Sequence, residues 1–158
     1  MPNTKHQFKL CQGPQAWNQW RRENATTLPN LARASFCKAN LSGANLYRAN
    51  LKHVDFFGTD LSRTILVKAD LRKTDFSAAS LYRSNLSEAD LRRANFFRAD
   101  LTEAALYKAD LRGADFSGAD ISRANFLDAR LDNTIFSQAI GWPPAQVEDF
   151  ERRGAIFR

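Results

Sequence analysis

The chain has 158 residues, of which 25% are charged, and its formal net charge is +6. This length suits a single domain, and the dense charge argues against a membrane span. The basic balance favours attraction to anionic partners but does not select one of them.

The first 28 residues predict a short helical unit. Residues 15–24 are typical of a helix, with Pro14 in its first turn and both Trp17 and Trp20 on one face. Residues 1–10 contain no apolar run long enough for a signal peptide. We therefore expect a cytoplasmic location.

Residues 29–140 carry an internal repeat of five residues. Counting in fives from Leu31 to Phe136 gives 22 positions, and each of them is Leu, Phe or Ile. The residue two places earlier is usually Ala, and the residue between is usually Asn or Asp. Helices advance about 100° per residue and strands alternate sides, so neither has a period of five. The chain must turn every five residues, and such a repeat predicts stacked units around one core.

A second period, of twenty residues, predicts how many sides close one coil. In one register every twentieth large residue is Phe: Phe36, Phe56, Phe76, Phe96, Phe116 and Phe136. Four sides therefore form a coil, with the small and large residues inward and the next two residues at the corner. The glycines inside the repeats all lie at the second corner residue, where a turn tolerates positive φ. We predict an all-β solenoid of about 5.5 coils and about 26 Å.

The ends of such a solenoid need covers. After the repeats, Pro143 and Pro144 are expected to start a helix that continues through Phe150 and stops at Gly154. Residues 1–28 and 141–158 are therefore predicted to cap residues 29–140 within one structural domain. A covered last coil disfavours end-to-end dimers, and we expect a monomer.

Units such as Ala89-Asp90-Leu91-Arg92-Arg93 resemble the A(D/N)LXX signature of pentapeptide-repeat proteins. The flanks, Ala16 to Arg21 and Ile140 to Pro144, are similar to those of helix-capped members from photosynthetic bacteria. The resemblance covers about two-thirds of the chain. It implies a right-handed quadrilateral β-helix, the repeat-five-residue fold, with α-helical caps. It implies no reaction. Some members act by presenting a shaped, charged surface to a protein partner, and most have no known biochemical role.

The outward positions fall on four walls, and one of these, the basic wall, carries most of the basic excess. Its outward residues from Arg33 to Asp132 comprise eight bases and four acids, a net charge of +4. The candidate anion-binding residues are Lys52, Arg72, Lys73, Arg92, Arg93 and Arg112. One interpretation is a solvated charge ladder compensated by Asp70, Asp90 and Asp110. The other is a rigid strip for nucleic acid, an acidic protein or another polyanion. Gyrase-targeting members imitate DNA with acidic surfaces, and the basic charge here disfavours that role.

A second wall, the apolar wall, exposes side chains that suit a protein contact. The candidate partner-binding residues are Tyr47, Ile65, Val67, Tyr107 and Leu127. Contiguous exposed apolar residues mark interfaces. Two alternatives are a cap folded over this wall and aromatic stacking that only stabilises the solenoid. On the wall of the phenylalanine stack, Phe57 and Phe97 are also expected to point outward.

The two cysteines, Cys11 and Cys37, are predicted to lie near the same end of the solenoid. A disulfide between them is geometrically allowed, and two free thiols are the alternative in a reducing cytoplasm. Together with His6 and His53 they make no convincing zinc site. We expect no metal and no cofactor.

The functional prediction follows from what the walls present. The sequence has no glycine-rich phosphate loop and no nucleophile motif, and its acids and bases repeat on flat outer surfaces. We therefore predict a protein that is not an enzyme but a non-catalytic protein-interaction or scaffold module with an unidentified protein partner. Polyanion or nucleic-acid binding through the basic wall is the alternative, and a structural spacer is the third. No membrane partner is expected.

Overall fold

The computed structural model describes residues 1–142 and 144–157, and its main body is a right-handed quadrilateral β-helix. Parallel bridges join residues twenty apart, from Asn30 with Asn50 to Asp120 with Ile140. Two hydrogen bonds join neighbouring coils at such a bridge: Leu31 N–H donates to the Asn50 carbonyl (2.9 Å), and Asn50 N–H donates to the Pro29 carbonyl (2.8 Å). The predicted periods of five and twenty residues are confirmed.

Every corner of the solenoid has the same backbone conformation. The second corner residue, at every fifth position from 33 to 138, has φ between 54° and 73°. The residue after each corner closes the turn, as where Ala34 N–H donates to the Leu31 carbonyl (3.0 Å). One positive φ and this hydrogen bond match a type II turn. Four sides per coil follow from this repeated turn.

The interior is filled by the small and large residues of the repeat. The Leu, Phe and Ala side chains that point inward are almost completely buried, except Ala39, Ala124 and Ala139, which are partly buried. The phenylalanines form a stack from Phe36 to Phe136 with centroids 4.4–5.7 Å apart. Stacked rings fix the register between coils because a shift by one repeat would bring Leu against Phe.

Helices α1 (Thr4–Cys11) and α2 (Pro14–Glu23) cover part of the first coil. Trp17 is completely buried, and its Nε1–H donates to the Asn45 carbonyl (2.7 Å). The Asn18 side chain accepts from Asn45 N–H (2.7 Å), and His6 Nδ1 accepts from Asn30 N–H (3.1 Å). These side chains supply the partners that a preceding coil would supply.

A 3₁₀ turn (Pro144–Gln146) and helix α3 (Val147–Arg152) follow the last coil, and Phe150 of α3 is buried. The predicted helix start at Pro143 lies outside the described residues. Gly154, with φ 85°, follows the helix as expected for a stop.

The segment after α3 returns to the solenoid as an extra rung that the sequence analysis missed. Ile156 bridges Ile135 in parallel, and Phe136 N–H donates to the Ile156 carbonyl (2.9 Å). Phe157 stacks on Phe136 with centroids 5.8 Å apart. The signal was present, because Ala155-Ile156-Phe157 has the small–x–large pattern, but Phe157 lies 21 residues after Phe136 and so out of register.

Both cysteines are free and exposed, so the alternative of a disulfide between Cys11 and Cys37 is not the one that the structure adopts. The reason lies in α1. Leu10 is completely buried against the first coil, and the next helical position points about 100° away, which turns Cys11 toward solvent.

Candidate interaction surfaces

On the basic wall, each arginine of one column binds the aspartate two residues before it. Arg92 donates from Nε and Nη2 to the two carboxylate oxygens of Asp90 at 2.8 and 2.7 Å. Arg72 pairs with Asp70 and Arg112 with Asp110 in the same way. Such bidentate ion pairs fix the guanidinium plane against the wall.

These pairs continue from coil to coil. Lys52 Nζ lies 3.1 Å from an oxygen of Asp70, and Arg72 Nε lies 3.4 Å from an oxygen of Asp90. Partial burial disfavours the charged carboxylate of Asp70, but the hydrogen bonds from Arg72 and Lys52 outweigh it and lower its pKa. The arginine and aspartate columns of the wall therefore form a ladder of alternating charges, with the compensation by Asp70, Asp90 and Asp110 that the first interpretation describes.

The neighbouring corner column is different. Within the described residues, Lys73 and Arg93 take part in no salt bridge. Together with the arginine column they line a groove of about 350 Å³, whose lining residues are Arg72, Lys73, Arg92, Arg93 and Arg112. Five of the six predicted anion-binding residues thus meet in one concave cationic surface, and Lys52 lies outside its lining. A carboxylate or phosphate group suits such a groove.

The apolar wall is less continuous than its sequence indicated. Ile65 is 42% and Leu127 is 61% exposed, whereas Val67 and Tyr107 are half-buried. Asn85 and Ser87 separate the first pair of coils from the second.

Tyr47, the fifth candidate on that wall, lies beside α2. The Arg21 side chain of that helix donates to the Tyr47 carbonyl (3.2 Å), and the Tyr47 side chain stays partly exposed. Lys108 lies 4.9 Å from the ring centroid of Tyr107. A cap contact and a cation–π contact therefore account for part of this wall.

On the wall of the phenylalanine stack, Phe57 and Phe97 are exposed as predicted. Ser77 stands between them in the same column and is nearly buried. Arg98 stacks on Phe97, with its guanidinium carbon 5.0 Å from the ring centroid. Within residues 1–142 and 144–157, no group of three or more His, Cys, Asp or Glu side chains could hold a metal ion, and no helix is long and apolar enough to cross a bilayer.

Known proteins give the fold a family context. Residues 29–104 match the family model "Pentapeptide repeat region", and residues 99–138 match "Pentapeptide repeats (8 copies)". No protein of curated function matches the chain significantly.

Several solved structures are similar. The pentapeptide-repeat protein Rfr23 of the cyanobacterium Cyanothece 51142 is 35% identical, with a TM-score of 0.58 over 58% of this chain and 63% of that one. A pentapeptide-repeat protein of the Arabidopsis thaliana thylakoid lumen is 25% identical, with a TM-score of 0.59 over 60% of this chain and 66% of that one. The chain thus spans just under two-thirds of the length of each.

QnrB1, a plasmid-mediated fluoroquinolone resistance protein, shares the fold at 13% identity, with a TM-score of 0.68 over 85% of this chain and 68% of that one. The two family models together cover residues 29–138, the stretch in which the structure shows the coils. The chain belongs to the pentapeptide-repeat protein family.

Proposed function

We propose that this protein is a non-catalytic protein-interaction module whose basic wall binds an acidic surface of a partner protein. The observation that carries the proposal is the groove of about 350 Å³ that only arginine and lysine side chains line. Lys73 and Arg93 supply its uncompensated charge, since Asp70, Asp90 and Asp110 pair with the arginine column.

The alternating charges favour a protein over a nucleic acid. Asp70, Asp90 and Asp110 form a fixed column beside the arginines, and they would repel the phosphates of a strand laid along the wall. A protein surface can place carboxylates against Lys73 and Arg93 and bases against the aspartates.

Rigidity supports the same proposal. The rungs at Asp70, Asp90 and Asp110 are bonded to the coils on both sides, and the arginines of the wall are held by two hydrogen bonds each. A partner would therefore bind charges that are already in place, which reduces the entropy lost on association.

The test compares two labelled probes by fluorescence anisotropy: a peptide of Glu-Glu-Lys repeats and a duplex DNA of similar length, each at about 50 and 200 mM salt. Lys73→Gln/Arg93→Gln is the test variant. Lys38→Gln/Arg48→Gln is the matched control, because it removes the same charge from corners of the same conformation on other walls. We expect the peptide to bind the native protein and the control, and the test variant to bind about tenfold more weakly.

Two results would contradict the proposal. Tighter binding of DNA than of the peptide, with a steep salt dependence that the test variant loses, would favour the nucleic-acid alternative. Equal loss of peptide binding in the test variant and the control would show that binding depends only on the net charge of the protein. The basic wall would then be a solvated charge ladder without a binding role.

A further inference from the structure

The last rung of the apolar wall is a strand edge with a space beside it. In the rung before it, Leu106 N–H donates to the Asn125 carbonyl (2.8 Å), and Asn125 N–H donates to the Ala104 carbonyl (2.9 Å). The corresponding groups one coil later are Phe126 N–H and the Ala124 carbonyl. No group within the described residues pairs with either of them.

The space beside this edge is a groove of about 390 Å³ between the last rung and α3. Its lining residues are Ala124, Asn125, Phe126, Leu127, Gln146, Asp149, Phe150 and Arg153. Ala124 is half-buried here, whereas Ala44 and Ala104 at the same position of earlier coils are almost completely buried. Phe150 and Arg153 contact this edge, and Arg153 donates to the Phe126 carbonyl (2.8 Å), but neither residue pairs with Phe126 N–H or the Ala124 carbonyl.

The chain itself shows how short a segment can complete such an edge. On the opposite wall, Ile156 N–H donates to the Thr134 carbonyl (2.8 Å), and the Ile156 carbonyl accepts from Phe136 N–H (2.9 Å). One residue thus makes both bonds of a rung, and three extended residues form the whole of it.

We propose that the open edge at residues 124–128 binds an extended peptide segment of a partner protein as an added rung. Strand addition to an exposed edge draws its affinity from main-chain hydrogen bonds and its specificity from alternate side chains. The site is separate from the basic wall, and the proposal does not depend on the function proposed there.

The surroundings define the chemistry of this peptide at its first three positions. The first residue supplies the N–H for the Ala124 carbonyl and the carbonyl for Phe126 N–H. The second points inward, where Phe150 packs on Phe126 with centroids 5.3 Å apart, so only a small side chain fits. The third lies over Leu127, which is 61% exposed and favours an apolar neighbour.

Charge defines the fourth position, which lies over Asp128. In the same corner column, Lys68 Nζ pairs with Glu88 one coil away at 3.4 Å, so opposite charges one coil apart reach each other. Within the described residues, Asp128 takes part in no salt bridge. A basic fourth residue therefore complements it, and the peptide has the pattern x–small–apolar–basic.

A second copy of the chain fits the edge less well. The inward residues of its first coil are Leu31, Phe36, Leu41 and Leu46. Each of these large side chains would take the inward place that Phe150 restricts to a small residue.

The test is a titration of ¹⁵N-labelled protein with the capped peptide TNALKT, followed by the amide signals of Phe126 and Asp128. We expect both signals to shift with a Kd of about 0.1–1 mM. The peptide TPALKT lacks the N–H of the first residue, and TNALET reverses the fourth charge; each should bind at least about fivefold more weakly. Leu127→Ser should weaken TNALKT binding, whereas Val67→Ser, the same kind of change in the same column but far from the groove, should not.

The proposal is overturned if neither amide shifts, if TPALKT binds as well as TNALKT, or if Val67→Ser weakens binding as much as Leu127→Ser. Amide shifts that depend on protein concentration without peptide would identify a second copy as the occupant, which would also overturn it.

Discussion

At the scale of single residues, the second corner position is the most constrained exposed site in the molecule. L-residues reach positive φ only at a cost, which is highest for β-branched side chains. No Val, Ile or Thr occurs at any of these positions from Arg33 to Gln138, although the residues vary from Gly to Arg, His and Glu. The backbone therefore explains a preference that looks like a free choice in the sequence.

This constraint predicts opposite responses at adjacent residues. Gln138 has φ 55°; Gln138→Gly should change the free energy of unfolding by less than about 1 kcal/mol, whereas Gln138→Val should lower it by about 1–3 kcal/mol. Ser137, the first corner residue, is not among the positions with positive φ, so there Gly should be worse than Val. Urea midpoints of the four variants measure this, and the same order at both positions would disprove it.

His6 predicts a pH dependence of stability. Burial lowers its pKa below 6.5, and the charge of Arg21 acts in the same direction. The unfolded chain then binds a proton more readily than the folded one, so stability is complete above pH 6.5 and falls as the pH drops below it. Protonation at Nδ1 would also break the hydrogen bond from Asn30.

The measurement is the thermal midpoint between pH 7.5 and 5. His6→Gln should flatten the loss of stability below pH 6.5, and His53→Gln, at an exposed corner, is the control. An unchanged pH profile in His6→Gln would show that other groups cause the loss.

At the scale of elements, the coils were predictable from sequence and the rung after α3 was not. The strict spacing of Leu and Phe from Leu31 to Phe136 determines the coils, because each inward position must be filled by a side chain of similar size. Phe157 joins the same stack after a helical excursion, and a search in steps of five residues passes over it.

The basic wall was likewise only partly predictable from the sequence. The twenty-residue period placed Arg72, Arg92 and Arg112 in one column, but it did not predict their bidentate bonds to the aspartates, which depend on side-chain rotamers. Sequence therefore located the cationic surface, whereas only the structure separates its neutralised column from Lys73 and Arg93.

The rung after α3 should contribute measurably to stability. Ile156→Pro removes the N–H that donates a hydrogen bond to the Thr134 carbonyl, and we expect a loss of about 1–3 kcal/mol in the free energy of unfolding. Ile156→Thr keeps the N–H and the β-branched shape and should cost less. Equal urea midpoints for the two variants would show that the backbone bond contributes little.

At the scale of the whole molecule, each coil contacts only its neighbours. A destabilised coil in the middle can therefore uncouple the unfolding of the two ends. The middle phenylalanine, Phe96, is completely buried between Phe76 (4.9 Å) and Phe116 (4.4 Å). Phe96→Ala should cost about 3–5 kcal/mol. We also expect it to divide one unfolding transition into two.

The three tryptophans make this division observable. Trp17 and Trp20 lie in α2, and Trp142 lies beyond the last coil. Urea unfolding of Phe96→Ala, with and without Trp142→Phe, should give different fluorescence midpoints for the two ends, whereas the native protein should give one. Coincident midpoints in Phe96→Ala would show that the solenoid unfolds as a single unit despite its repeats.

Because the corners share one conformation, equivalent outward positions are evenly spaced along the axis of the solenoid. A side chain moved from position 93 to position 113 stays in its column and shifts about 4.8 Å along the axis with almost no change of direction. Position 113 has no side chain, because it is a glycine with φ 69°. A Cβ there would meet Arg93 Cγ at 3.5 Å, an ordinary contact, and arginine already adopts a positive φ at other corners. Moving one charge between the corner positions of a column, such as 93 and 113, would therefore measure the spacing of the opposite charges on any ligand that binds this wall.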